Sequence, residues 1–390
     1  MIFNLTSNAR VLLVSTFMWN VGRTLPHAIL VIFLLSRGIS LLDIALIQTL
    51  HQVTKVVVEL PSGIISDMIP RKRLYVLSVF VLICAFILIG FFSDNFIVLA
   101  IAYCLYGVGV SLRSGTLESD VICEYKEKNL DIRHYVVAES YVFGVSGIIG
   151  GGVGGIMYAY IGEHIYIVSS LLFVASIVSS MFFVPNTIIE RDSNLRYEVG
   201  VLNEILAMFR VMFTSHTYVL LLILTCLSII FRQSFYQYWQ VLYKDAGVDV
   251  TYFGIVYIIF QCCDILGTLI YRYVRLSACA VVAILFAMAL LYVVAFVFGE
   301  CLVVIFPVAI VLFYVYKQHL DVTIKKLAPT WGTSTYLSTI ETIKGVISIC
   351  TLFVLSTAID FYGVRVSYML VFFMFSLLSI VTYLMFRRGH

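Results

Sequence analysis

Gly63-Ile64-Ile65-Ser66-Asp67-Met68-Ile69-Pro70-Arg71-Lys72-Arg73 ends one long apolar segment, and another begins at Leu74. Three consecutive basic residues in so short a break are informative because charge is scarce elsewhere. The chain of 390 residues is 62% hydrophobic and 12% charged, against about 45–50% and 25% in soluble domains. The stretch reads as a basic turn between two membrane spans, and the rest of the chain can be set out from it.

The net charge of +3 is too small to mark a nucleic-acid partner and matters only through its distribution. Nine cysteines are scattered along the chain, with Cys262-Cys263 as neighbours. None has the spacing of a zinc site or a disulfide framework, so they are expected to pack as small apolar residues, with no metal and no cofactor. The run from Val11 to Leu35 is too long for a signal-peptide core and is expected to be the first span. Asn4-Leu5-Thr6 has the form of a glycosylation acceptor but precedes that span on the side assigned below to the cytoplasm.

A span needs roughly 20 mostly apolar residues, and twelve such stretches follow one another: 11–35, 42–66, 74–93, 96–120, 135–160, 164–184, 216–242, 250–271, 277–299, 301–323, 332–358 and 364–386. Arg10, Arg71, Lys72, Arg73, Lys126, Lys128, Arg133, Arg191, Arg196, Arg210, Arg272, Arg275, Lys325, Lys326, Arg387 and Arg388 fall on the termini or on connections of one parity. Arg37, Lys244 and Arg365 fall on the other. Sixteen against three is a strong bias that puts both termini and the opening loop in the cytoplasm.

The longest break, Pro185 to Ser215, carries Val201, Ile205, Phe209 and Met212 at helical spacing among Glu198, Glu204 and Arg210. It is expected to be a linker, either with an amphipathic helix on the inner membrane surface or as a flexible tether. The organisation is therefore residues 1–185 as one six-helix half, 186–215 as cytoplasmic linker and 216–390 as a second six-helix half. A faint repeat at an offset of 204 aligns Gly63, Asp67 and Arg71 with Gly267, Tyr271 and Arg275, and Arg113 with Lys317. Duplicated halves are a feature of secondary transporters.

The opening loop resembles the signature loop of the major facilitator superfamily: Gly, three residues, Asp, a basic residue, any residue, Gly, two basic residues. Gly63, Asp67, Arg71 and Lys72 match, while Met68 replaces the first basic residue and Pro70 the second Gly. The fourth span ends Ser111-Leu112-Arg113-Ser114-Gly115-Thr116-Leu117-Glu118-Ser119-Asp120, similar to the Ser-Gly and acidic segment of many bacterial members. In the fifth span Ser146-Gly147-Ile148-Ile149-Gly150-Gly151-Gly152-Val153-Gly154-Gly155 resembles the glycine motif of export-type, drug/proton antiporters, with Ser146 for its first Gly and Gly151 for its Pro. Small residues four apart also let any two transmembrane helices approach closely.

The resemblance implies an all-α polytopic membrane protein with twelve transmembrane helices. It also implies that Gly63, Asp67 and Arg71, with Glu118 or Asp120 as third member, form a gating network on the cytoplasmic side.

Within the spans lie Arg23, Lys55, Arg113, Arg232, Lys317 and Lys344, and Glu59, Glu118, Glu139, Asp264, Asp321 and Glu341. Charge at mid-span costs at least ~2.5–3.5 kcal/mol per residue, so these groups are expected to face partners or a water-filled pathway. Lys55 with Glu59, Lys317 with Asp321 and Glu341 with Lys344 have the spacing of ion pairs within one helix, which leaves either a structural or a substrate role open to them. Arg23 and Arg232 have no such neighbour. Asn20 and His27 share the Arg23 face, and Ser228, Tyr236 and Gln240 lie near that of Arg232.

The resemblance places the first, fourth, seventh and tenth spans around a central cavity. That gives Asn20, Arg23, His27, Arg113, Arg232, Tyr236 and Lys317 as substrate-binding candidates and a cationic pocket for a carboxylate or phosphate. The competing reading pairs Arg113 with Asp120 and Arg232 with Asp264. Proton-coupling candidates are Asp321, favoured for its span, with Glu139, Glu59 and Glu341. Tyr236, Tyr238 and Trp239 form either an interfacial belt or a stacking surface.

The expected function is a proton-coupled secondary transporter that exports a small amphipathic molecule across the cytoplasmic membrane by alternating access and acts as a monomer. An antiporter or symporter of an organic anion or zwitterion is the alternative. Primary pumping is not expected, since no Gly-rich, Lys-Ser/Thr nucleotide-binding loop occurs and the loops are too short to hold an ATPase domain; nor is an enzyme, since His27, His51 and His319 lie in separate spans without a ligand spacing, which disfavours a membrane-embedded lipid-modifying transferase.

Overall fold

Each apolar run becomes a helix, because a backbone in hydrocarbon must satisfy its own amides and carbonyls. The computed structural model describes residues 5–184, 201–249, 252–297, 302–330 and 332–388. Asn4 and the linker residues 185–200, with Arg191, Arg196 and Glu198, lie outside the described residues, as do the side chains of Val201, Glu204, Ile205 and Tyr238.

In chain order the helices are α1 (Ser7–Thr24), α2 (Leu30–Ser36), α3 (Leu41–Met68), α4 (Arg71–Phe91), α5 (Phe96–Arg113), α6 (Thr116–Glu127), α7 (Arg133–Ile161) and α8 (Ile165–Met181). They continue as α9 (Val201–Thr214), α10 (His216–Asp245), α11 (Phe253–Tyr273), α12 (Ala278–Val297), α13 (Leu302–Leu327), α14 (Thr333–Tyr362) and α15 (Val364–Arg388). With the broken first and fourth crossings each taken as one, and α9 lying between crossings, this is the twelve-helix, all-α fold. Eight stretches among the described residues are long and apolar enough to cross a membrane by length and composition alone.

Two crossings expected to be continuous are not. The first stops at Thr24 and passes through a 3-10 turn, Pro26–Ala28, before α2, because proline supplies no amide to the ladder and crowds the preceding turn. The fourth breaks between α5 and α6 at Gly115, whose φ of 68° is left-handed and costs glycine nothing.

The chain forms two compact units, Met1–Leu206 with Ala328–Thr342, and Ala207–Leu327 with Ile343–His390. In the first, Ser15 of α1, Tyr75 of α4 and Ser176 of α8 form a buried hydroxyl knot with oxygen separations of 2.7–2.9 Å. The fifth-span glycines bring α7 onto the break in the first crossing. A Cβ on Gly150 would overlap the Thr24 hydroxyl oxygen and one on Gly154 the Leu25 carbonyl oxygen, whereas Gly151, Gly152 and Gly155 face open space. Close helix packing therefore accounts for Gly150 and Gly154.

The second unit is built on aromatic rings: Phe231 lies 4.3 Å from Phe313, 4.6 Å from Phe372 and 4.8 Å from Phe375. Trp239 belongs to this core. It is buried and sits edge-on to Phe260 at 5.2 Å and to Tyr243 at 6.0 Å. The interfacial-belt reading is corrected for Trp239, because its ring finds aromatic partners inside the unit.

Of the three basic residues Arg37, Lys244 and Arg365, two are neutralised locally. Arg37 pairs with Asp94 at 3.3 Å and with Glu163, and Arg365 pairs with Asp245.

Candidate functional site

The opening loop carries a buried charge network. Arg71, at the start of α4, donates to Asp67 at 2.6 Å and to Asp120 of α6 at 2.7 Å, with all three side chains less than a tenth exposed. Asp120 is thus the third member that Arg71 grips, while Glu118 sits half-buried in the first turn of α6. Asp67 also accepts from the backbone amides of Ser334 (3.3 Å) and Thr335 (2.8 Å) and from the Thr335 hydroxyl (2.8 Å). Those amides open α14, so Asp67 caps a helix 268 residues away and meets the positive end of its dipole.

Hydroxyls reinforce the junction. Ser334 donates to the Gly115 carbonyl at 2.7 Å and lies 3.1 Å from the Ser66 hydroxyl. The Cys123 thiol lies 3.3 Å from the Thr333 hydroxyl, and Lys126 donates to the Ala328 carbonyl. Gly63 is required there: a Cβ would fall 2.5 Å from that of Ser338.

A second cluster gathers on α1. Arg113 stacks 4.1 Å from the Trp19 ring centre and 5.8 Å from that of Tyr75, and donates to the Thr16 hydroxyl at 2.7 Å. Arg23 lies 5.1 Å from the same indole and donates to Asn20 Oδ1 at 3.1 Å, while Asn20 is anchored to the Ser146 hydroxyl at 2.7 Å. Neither guanidinium has an acidic partner among the described residues, and the Nε of each is buried without a hydrogen bond. The Arg113–Asp120 pairing is thus corrected, because Arg71 takes that carboxylate. His27 falls in the 3-10 turn, exposed, beyond the point where the helical register it would share with Arg23 ends.

The carboxyl groups divide. Glu139 accepts from the Tyr135 hydroxyl at 2.8 Å, and Asp321 is paired with Lys317 at 2.7 Å as the spacing predicts. Glu341 is half-buried on α14. Glu59 of α3 is 1% exposed, and neither of its oxygens has a hydrogen-bond partner. The predicted Lys55–Glu59 ion pair does not form. Pro61 interrupts the α3 amide ladder two residues on.

In the second unit Arg232 is exposed and makes no ion pair with Asp264, which corrects that pairing, while the Tyr236 and Tyr314 hydroxyls are 2.6 Å apart. The aligned residues of the faint repeat serve other ends. Gly267 packs against Tyr314 and Val311 of α13, Tyr271 is buried near His319, and Arg275 is exposed.

Sequence reasoning missed Thr16 and Trp19, although both share a face of α1 with Arg23 at helical spacing. It also missed Ser334, Thr335 and Cys123, for which no local pattern exists.

Stacked cations and a buried carboxyl held among long apolar helices are the kind of intramembrane charge that marks a functional site in a membrane protein. The profile of the Major Facilitator Superfamily matches residues 12–317, and the chain belongs to that family. The fold is similar to the human organic anion transporter MFSD10 (TETRAN), with TM-score 0.75, 12% identity, and 97% of this chain and 98% of that one covered. It is similar to a bacterial homologue of the iron transporter ferroportin in the outward-facing state, with TM-score 0.72, 14% identity and coverage of 98% and 99%. It also resembles a variant of the E. coli fucose:proton symporter, with TM-score 0.77, 13% identity and 98% of each chain covered. At such identities the likeness is one of fold. No curated protein matches the sequence.

Proposed function

We propose that the chain is a proton-coupled antiporter that exports an amphipathic organic anion by alternating access. The observation that carries this reading is the pair of guanidiniums, Arg23 and Arg113, stacked on one indole with no acidic partner among the described residues. An anion would supply the missing counter-charge, gripped through the bidentate geometry of arginine, and Trp19 offers apolar area beside it. Asn20 and Thr16 orient the two arginines. His27, Arg232, Tyr236 and Lys317 are proposed as further contacts.

For the proton, Glu59 now stands ahead of Asp321, Glu139 and Glu341, since an ionised carboxylate there would be a buried charge that makes no hydrogen bond in the structure. The Gly63, Asp67, Arg71, Glu118 and Asp120 region is proposed as the gate, made and broken during the cycle. The basic-residue bias supports a cytoplasmic-membrane protein with both termini inside, built as halves 1–185 and 216–390 with linker 186–215 and acting as a monomer.

The test is a proteoliposome assay with a panel of organic anions and organic cations under an imposed pH gradient. Anion movement that drives counter-movement of protons is expected. Selective transport of cations, or unaltered transport by both Arg23→Gln and Arg113→Gln, overturns the anion assignment.

A further inference from the structure

On an exposed face of the first unit, α4 and α8 enclose an open groove of about 590 Å³ lined by Lys72, Arg73, Leu77, Phe80, Ile177 and Met181 among others. Its walls are apolar and accessible, with Leu77, Phe80 and Met181 each about half exposed. Its polar end is cationic, and no acidic residue lines it among the described residues. The Arg73 side chain is exposed and makes no hydrogen bond or ion pair among the described residues, its backbone amide alone donating to the Pro70 carbonyl at 2.9 Å. Lys72 spends two donors on the Met181 and Phe183 carbonyls, at 2.7 and 3.0 Å, which leaves its third ammonium hydrogen. Both residues stand in the first turn of α4, where the helix dipole adds further positive potential.

A slot that is apolar along its length and doubly cationic at one mouth, on the side of a membrane-spanning helix pair, matches one kind of molecule. We propose that it is a binding site for an anionic phospholipid, its phosphate between Lys72 and Arg73 and an acyl chain along Leu77, Phe80 and Ile177. Basic residues at a membrane surface favour such headgroups by about fivefold in affinity per residue. The site lies next to Arg71 in the chain, so an occupant would brace the helix end that presents the network.

The experiment uses the full chain in detergent and native mass spectrometry with phosphatidylglycerol, phosphatidylcholine or glycerol phosphate added. Phosphatidylglycerol is expected to bind about tenfold or more tightly than phosphatidylcholine, the product of two basic contacts, and glycerol phosphate alone not to compete. Arg73→Ala, which disturbs no contact, should lose about fivefold of that preference, and Val76→Trp, which fills the groove, should lower the affinity for both lipids. Equal affinity for the two lipids, an Arg73→Ala protein that keeps the full preference, or competition by glycerol phosphate would each overturn the lipid site.

Discussion

Replacing Asp67 by Ala removes the acceptor of four hydrogen bonds at once: from Arg71, from the Ser334 and Thr335 amides, and from the Thr335 hydroxyl. The Asp67 and Arg71 side chains are only 9% and 5% exposed, so solvent screens them little. Breaking one partner of such a pair costs about 3–5 kcal/mol. At about 1.4 kcal/mol per decade that is roughly a hundred- to several-thousand-fold shift toward the unlatched junction. Arg71 would retain Asp120, which keeps the loss toward the lower figure.

Cys123 is the native reporter. It is 1% exposed and lies beneath the segment that Asp67 holds, against Thr333. In a variant retaining Cys123 as its single cysteine, maleimide labelling should accelerate by about tenfold or more on Asp67→Ala, capped once the open form predominates. Asp67→Asn, which keeps an acceptor, should show a smaller effect. Labelling at the parental rate in an Asp67→Ala protein with intact helical content would refute the latch.

Glu59→Gln should abolish transport driven by a pH gradient while leaving substrate counterflow intact. Its Tm should be unchanged or higher, since the isosteric amide takes away only the ability to ionise at a buried position that makes no hydrogen bond; retained pH-driven uptake would return the proton to Asp321 or Glu139. Arg113→Gln, which removes a charge-assisted contact of about 1.5–3 kcal/mol, should raise the KM for the transported anion by roughly ten- to a hundredfold, and an unchanged KM would leave Arg113 a structural stack on Trp19. Gly154→Ala, whose added carbon collides with the Leu25 carbonyl oxygen, should destabilise by about 1–3 kcal/mol. Gly152→Ala, which meets nothing within 4 Å, should be neutral or slightly stabilising. Equal melting temperatures for the two alanine variants would contradict the packing of α7 on the first crossing.

Hydrophobic burial in a bilayer is read along the chain, one run of about 20 residues at a time. The all-helical class, the crossings and the basic loops were therefore legible in the amino-acid order. So were contacts one helical turn apart, such as Arg71–Asp67 and Lys317–Asp321. Even there spacing was insufficient: Lys55 and Glu59 have the same interval and form no ion pair, since which face of a helix meets a neighbour is set by packing and not by period. The break at Pro26 was present as a residue but not as a consequence, because proline is tolerated in a span when neighbours satisfy the freed carbonyls.

The tertiary structure alone decided that Asp67 caps α14, that Arg113 lies on Trp19 and Tyr75 instead of Asp120, and that Glu59 is buried without a hydrogen-bond partner. Each of these depends on groups brought together from distant parts of the chain. A side chain's electrostatic partner is whichever group folding delivers within about 3 Å, and sequence distance carries no record of it.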